Sequence, residues 1–238
     1  MASGGAEPAA RAGFAFRVEA FGDRGVLISI SDHADVRSAA RAHALAAAIE
    51  RESGGRPGWR TPVSTATSVL LPVDPVEPGV DVALEDVQGW LARLPTPEID
   101  ERWSTEPAPL EIPVRYGGSD GPDLATVAEL TGLTAAQVIE LHAATPLRVL
   151  FLGFAPGFGY LGPLPPALLV PRRAAPRTRV PAGSVAIAGP HTAVYPVDSP
   201  GGWHLLGRTS MTLWDPLRTP PATLRPGDRV RFIPERPA

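Results

Sequence analysis

The chain has 238 residues, 44% hydrophobic and 20% charged, enough for one large or two ordinary globular domains. It has no cysteine, which excludes disulfides, thiol nucleophiles and cysteine-ligated zinc; all 22 basic residues are Arg, which excludes a phosphate-loop lysine and a Schiff base. Residues 1–110 carry 10 Arg against 16 Asp and Glu, net −6, and residues 111–238 carry 12 against 9, net +3, so two units are expected and neither is basic enough for nucleic acid.

Residues 1–13 read as a disordered lead-in, because Met1 to Ala12 lacks a basic stretch followed by an apolar one. No apolar run approaches the ~20 residues of a membrane span, and the expected location is the cytoplasm. Phe14 to Phe21 alternates apolar and polar as a half-buried strand, Gly22 to Gly25 turns it, and Val26 to Ile30 pairs back. Asp35 and its neighbours offer an N-cap for a helix over 36–52, stopped at Gly54 and Gly55. Thr67 to Val73 is a strand, with Trp59 to Val63 as its partner. A second helix spans 81–94, with Val82, Leu84, Val87, Leu91 and Leu94 inward. The order ββαββα predicts a two-layer α+β domain over 14–94.

Residues 95–109 hold four prolines and few core residues, and read as a linker to a second domain over 110–238. Leu110 to Tyr116 alternates as a strand. Pro122 starts a helix with Leu124, Val127 and Leu130 inward and Gly132 at its end. Thr134 to Gln137 has capping-box spacing for another, which His142 closes as a cation against the helix dipole. Leu147 to Phe154 is a buried strand. Beyond it, Pro and Gly recur every few residues, which rules out long helices and predicts short strands in a small barrel or sandwich.

The runs Ile112-Pro-Val-Arg-Tyr-Gly-Gly118, Gly121-Pro-Asp-Leu124, Gly153-Phe-Ala-Pro-Gly-Phe158, Pro171-Arg-Arg173, Pro176-Arg177, Val180-Pro-Ala-Gly-Ser-Val185, Ser199-Pro-Gly-Gly-Trp203 and Gly207-Arg-Thr209 resemble the 5-oxoprolinase B-subunit family. That family is also called allophanate hydrolase subunit 1 and includes the sporulation kinase-A inhibitor protein. The resemblance implies a ferredoxin-like N-terminal domain and a cyclophilin-like C-terminal β-barrel. It implies one member of an ATP-dependent hydrolase complex that opens 5-oxo-L-proline to L-glutamate, and the absence of a recognisable triad, metal site or phosphate loop predicts that the chain is inactive alone. The implied partners are a second cyclophilin-like protein, the C-type subunit, plus a lactam-hydrolase protein, the A-type subunit. ATP is bound by a partner or shared with one. Alternatives within the resemblance are a regulator that inhibits a histidine kinase and a component of another amide or urea-derivative hydrolase.

Candidate residues follow from chemistry. Phe154, Pro156, Gly157, Phe158 and Tyr160 put aromatics beside glycines, either as a plug of the barrel or as a concave wall for a ring-shaped ligand. Ser184, Tyr195, Gly202, Trp203 and Arg208 complete the expected cleft. Arg172, Arg173, Arg177 and Arg179 place four cations in eight residues, fit for a partner surface or for bidentate capture of a carboxylate or phosphate. His191 and Arg208 are the catalytic candidates. A Ser-His-Asp set drawn from His191, His204, Ser184, Ser199, Asp198 and Asp215 is conceivable, without nucleophile-elbow spacing. No metal-ligand spacing is present, and no metal site is expected.

Overall fold

The computed structural model describes residues 9–11, 14–77 and 79–235, so most of the expected lead-in lies outside the described residues. The chain divides into two compact units, residues 1–104 and 105–238. It is a mixed α+β structure with one closed seven-stranded barrel.

In unit one, β1 (Ala9–Arg11), β2 (Phe14–Ala20), β3 (Gly25–Ser29), β4 (Val63–Ser64) and β5 (Ser68–Pro72) form an antiparallel sheet in the order β1-β2-β3-β5-β4. The period-two pattern points Val26, Ile28, Val69 and Leu71 to one face, and none of them is exposed. Two helices, α1 (Val36–Ser53) and α2 (Val80–Leu91), share one apolar cluster with those residues and so cover the same face. A capping box starts α1: the Asp35 carboxylate accepts from Ser38 N–H at 2.7 Å, and the Ser38 hydroxyl accepts from Asp35 N–H at 3.0 Å. The inward face of α2 is Ala83, Val87, Trp90 and Leu91, which leaves Val82 about 100° around the helix and 55% exposed. The expected inward Val82 is therefore outward, and the helix ends at Leu91 instead of Leu94.

The segment 95–109 is more structured than a linker. It contains α3 (Glu101–Ser104), whose Trp103 is buried and stacks on His43 with ring centroids 5.5 Å apart. Further on, the carbonyls of Thr105 and Pro107 accept from Arg148 and Arg229 at 2.9 and 3.0 Å, which ties 105–107 into unit two.

In unit two, β6 (Leu110–Tyr116), α4 (Leu124–Thr131), α5 (Ala135–Ala144), β7 (Leu147–Leu152), β8 (Gly159–Gly162), β9 (Arg177–Val180), β10 (Ser184–Ala188), β11 (His191–Val194), β12 (Ser199–Gly201), β13 (His204–Arg208) and β14 (Arg229–Pro234) follow in order. The barrel runs β10-β11-β8-β7-β14-β6-β13 and closes between β13 and β10; β9 and β12 pair as a separate ribbon. Only β14 with β6 is parallel among these barrel pairings, with Phe232 opposite Ile112. Ile112, Val149, Leu161, Val185, Ile187, Leu206 and Phe232 fill the interior, joined by Val127 of α4 and Val138 of α5. Each such side chain contributes about 1.5–3 kcal/mol on burial. Leu130, expected inward, is 54% exposed, since α4 turns Leu124 and Val127 to the core.

His142 corrects another expectation. It is fully buried and neutral, its pKa pushed down by burial to about 3, so it places no cation at the end of α5. Thr192 Oγ1 donates to the Ala186 carbonyl at 3.1 Å and so accepts from His142 Nε2–H at 2.8 Å; Tyr116 Oη–H then donates to Nδ1 at 2.7 Å. The ring also stacks on Phe232 at 4.6 Å. This relay satisfies every polar atom it buries while fastening α5 to the barrel.

Candidate functional site

Strand β10 is buried along its whole length because both of its faces are covered. Val185 and Ile187 point into the barrel. Ala186 and Ala188 point outward into a second cluster with Ala193, Tyr195, Leu205, Trp203 and Phe158. Strands β8, β10, β11 and β13 supply this outer face, and Val180 of the β9–β12 ribbon joins the cluster from above. Alanines at the outer positions leave room for the large rings. Phe158 is the hub, with centroids 5.2 Å from Tyr195, 5.7 Å from Trp203 and 5.1 Å from Tyr160, all tilted edge to face. Gly201 presses on this cluster, and a methyl group there would overlap the Tyr195 hydroxyl.

The turn that delivers Phe158 is closed by its own backbone: Gly153 N–H donates to the Phe158 carbonyl at 3.1 Å and Phe158 N–H to that of Ala155 at 3.0 Å. Phe154 at its tip has φ of 71°, a conformation costly for a bulky side chain, and its ring is 61% exposed. Gly157, φ 77°, lies against Trp214 and Leu213, where a side chain would collide. The residues expected to plug the barrel or to line an open cleft therefore divide. Phe158, Tyr195 and Trp203 are buried and act as the plug, as is Ser184. Phe154, Pro156 and Tyr160 reach solvent, and Gly202 lies against Pro176. Tyr160 stacks nearly parallel on Phe151 at 4.2 Å, and His191 presents its ring at right angles to Tyr160 at 5.7 Å.

A strap, residues 170–177, crosses this outer face. It is pinned at one end by Gly189 N–H donating to the Val170 carbonyl at 2.7 Å and further along by Arg173 N–H donating to that of Gly202 at 2.8 Å. His204 Nε2 lies 3.1 Å from the Pro171 carbonyl between them. The strap is fixed from below by Asp123, at the N-cap position of α4, where its carboxylate leaves the helix uncapped. Asp123 instead accepts from Leu205 N–H at 2.8 Å, from Arg173 at 2.8 Å and from both terminal nitrogens of Arg177 at 2.9 and 2.8 Å. Burial pushes the Asp123 carboxyl up, but the bonds from Arg177 and Leu205 and the charges of Arg177 and Arg173 outweigh it and hold it below 3.8.

The Arg cluster is thus mostly spent inside the chain. Arg173 and Arg177 hold Asp123, and Arg179 holds Asp198. The expectation that Arg173 and Arg177 face a partner or a free anion is replaced by this internal clamp. Arg208 donates Nε–H to the Ala182 carbonyl at 3.1 Å, beside Asp198. It joins no ring contact of the aromatic cluster, so its expected place in the cleft is not where its side chain is held. Ser184, Ser199, Asp198 and Asp215 make no hydrogen bond to His191 or His204 among the described residues, and no triad forms. Ser199 Oγ and the Nδ1 atoms of His191 and His204 are buried without a partner. Burial, and then the Arg172 charge against a Leu161 backbone bond, lower the pKa of His191; burial lowers that of His204. Among the described residues, no group of three His, Asp or Glu is placed to hold a metal ion. An open polar depression of about 350 Å³, lined by Arg218, Thr223, Arg225 and Asp228, shares no residue with the aromatic face.

The sequence points to the rings and the Arg cluster but not to Asp123, although it lies in the run Gly121-Pro-Asp-Leu124. Nor does it point to Phe151, hidden in an apolar strand.

The model of the carboxyltransferase domain, subdomains C and D, matches residues 16–224 of the chain. A protein of Escherichia coli O157:H7 named as the B subunit of 5-oxoprolinase is 53% identical over 154 residues, 65% of this chain and 68% of that protein. One of the same name from Bacillus subtilis strain 168 is 37% identical over 228 residues, 92% of each chain. Among solved structures, TTHA0988 in space group P212121 superposes with a TM-score of 0.72 at 38% identity over 91% of this chain. The chain spans about two fifths of that protein, 41% of its length.

Proposed function

The chain belongs to the 5-oxoprolinase B-subunit family, and on that premise we propose that it is the B-type subunit of an ATP-dependent 5-oxoprolinase. The observation that carries this reading is the full-length likeness to a protein of that name, 37% identical over 92% of both chains. The reaction is the opening of the lactam of 5-oxo-L-proline to L-glutamate. A lactam carbonyl is a weak electrophile. Transfer of the γ-phosphoryl group of ATP to the amide oxygen, with ADP leaving, makes the carbon attackable by water; the adduct collapses with the ring C–N bond breaking to give an acyl phosphate, which a second water splits into L-glutamate and phosphate. Such a reaction needs cations and backbone donors around the phosphates and a base for the water.

This chain supplies only part of that set. It has no lysine, and three of the four arginines between residues 172 and 179 are paired with Asp123 or Asp198. A triphosphate is poorly served by such a surface, so the ATP site and the base belong to partner subunits in this reading. Those partners are a second cyclophilin-like protein of C type and a lactam-hydrolase protein of A type. The barrel of residues 105–238 fits the cyclophilin-like expectation. The two helices on one face of an antiparallel sheet support a ferredoxin-like label for unit one. A cytoplasmic location is part of the reading, because the reaction draws on ATP.

The test is assembly. Mixed with its C-type and A-type partners, the chain is expected to co-elute with them in size-exclusion chromatography as one species. Separate elution of all three at micromolar concentration contradicts the reading.

A further inference from the structure

We propose that Arg172 is the carboxylate anchor of a small-ligand site whose floor is the stacked pair Phe151 and Tyr160. The inference rests on the reading of the chain as part of a 5-oxoprolinase only for the choice of probe.

Of the four arginines on residues 172–179, three are hydrogen-bonded to carboxylates of the chain itself. Arg172 is exposed and makes no ion pair or hydrogen bond among the described residues. Its backbone is nonetheless fixed. Val170 is bridged to Gly189, two residues before His191, and Arg173 is bonded through its backbone to Gly202, next to Trp203. Arg172 lies between these pins, over the outer face that carries Tyr160 and His191. Its charge reaches Tyr160, His191 and Tyr195, opposing the upward push of burial on both tyrosines and adding to the downward push on His191. A long cationic side chain on a backbone pinned at both sides, with its fork unfilled, can take up a planar anion.

The floor selects the rest of the ligand. Tyr160 is half-buried with Phe151 stacked on one face, so the pair makes a flat aromatic platform that still reaches solvent, and His191 stands perpendicular to it as a wall. Phe154, held outward by its positive φ, shares the hub Phe158 with Tyr160 and adds an exposed apolar edge. A compact ring bearing one carboxylate fits both elements: the acid on the Arg172 fork, the ring on Tyr160. Inorganic phosphate satisfies the fork but not the floor, so it is the weaker ligand.

The experiment is ligand-observed NMR titration of the full chain with 5-oxo-L-proline, its carboxamide, cyclopentanecarboxylate and inorganic phosphate. Both carboxylates are expected to bind, and the carboxamide more weakly. Arg172→Gln is expected to lose roughly ten- to a hundredfold in carboxylate affinity, as for one charge-assisted contact, with an unchanged thermal midpoint because the residue is exposed. Arg179→Gln is expected to bind as the natural chain does. Equal binding of acid and carboxamide, unchanged carboxylate binding in Arg172→Gln, tighter binding of phosphate, or no binding at all would overturn the proposal. Arg172-dependent binding of cyclopentanecarboxylate without binding of 5-oxo-L-proline would leave the anchor standing and count against the 5-oxoprolinase reading instead.

Discussion

Asp123 and Arg177 meet fork to fork, with two nitrogens of the guanidinium at 2.9 and 2.8 Å from the two carboxylate oxygens, and they bind the start of α4 to the strap over the aromatic face. Only 5% of the Asp123 side chain is exposed, and Arg173 and Leu205 N–H complete its shell. The interaction spans 54 residues of sequence. It holds a segment of Arg, Pro and Ala that has little apolar surface of its own to bury.

Asp123→Asn is therefore expected to cost about 2–4 kcal/mol, since it leaves two partly buried guanidinium groups without their counter-charge. The carboxyl is depressed in the fold, so its contribution to stability is fully present above the unfolded value of 3.8 and is lost as pH falls through the folded value. Urea denaturation checks both points: the variant should be less stable at neutral pH, and the gap from the natural chain should close only below about pH 4. A gap that is absent at pH 7 contradicts the clamp.

His142 gives a pH dependence of the same sign by a different route. Its folded pKa is about 3 against 6.5 for the free side chain. Between those values the unfolded chain binds a proton that the folded chain does not, so stability falls as pH falls through that window, by up to about 1.4 kcal/mol per pH unit. His191 and His204 are lowered too, so the comparison is with His142→Gln, which should be less stable at pH 7 and show a slope smaller by up to one proton between pH 6 and 4. Equal slopes for the two proteins contradict the buried, neutral assignment.

A fragment starting at Thr105 should fold alone. The barrel closes within residues 105–238, and the carbonyls of Thr105 and Pro107 are already bonded to Arg148 and Arg229. A fragment starting at Leu110 removes both bonds and the Glu106 partner of Arg229 and should melt lower, by a few degrees for about 1 kcal/mol. Equal melting of the two fragments contradicts the assignment of 105–109 to unit two.

Much of the architecture was legible because it rests on local rules. The Asp35 cap, the Thr134–Gln137 capping box and the Gly132 stop follow from short-range hydrogen bonding and φ freedom, and the structure has all three. Alternation marked β2 and β6. Residues whose role is set by distant neighbours were not legible. His142 reads as a helix-end cation until Tyr116 and Thr192 are seen around it. Arg173 and Arg177 read as free cations until Asp123, 50 and 54 residues away, takes them up. Phe158 reads equally as a plug or as a ligand wall, and Tyr195 and Trp203 read as cleft residues, because nothing local reveals that a two-stranded ribbon covers them.

The most direct measurement of the central claim is glutamate release from 5-oxo-L-proline in an omission series with purified subunits. The account predicts ATP-dependent release only when this chain and both partner subunits are present together, and none from this chain alone. Turnover by the chain alone, or undiminished turnover by the partners without it, would contradict the account.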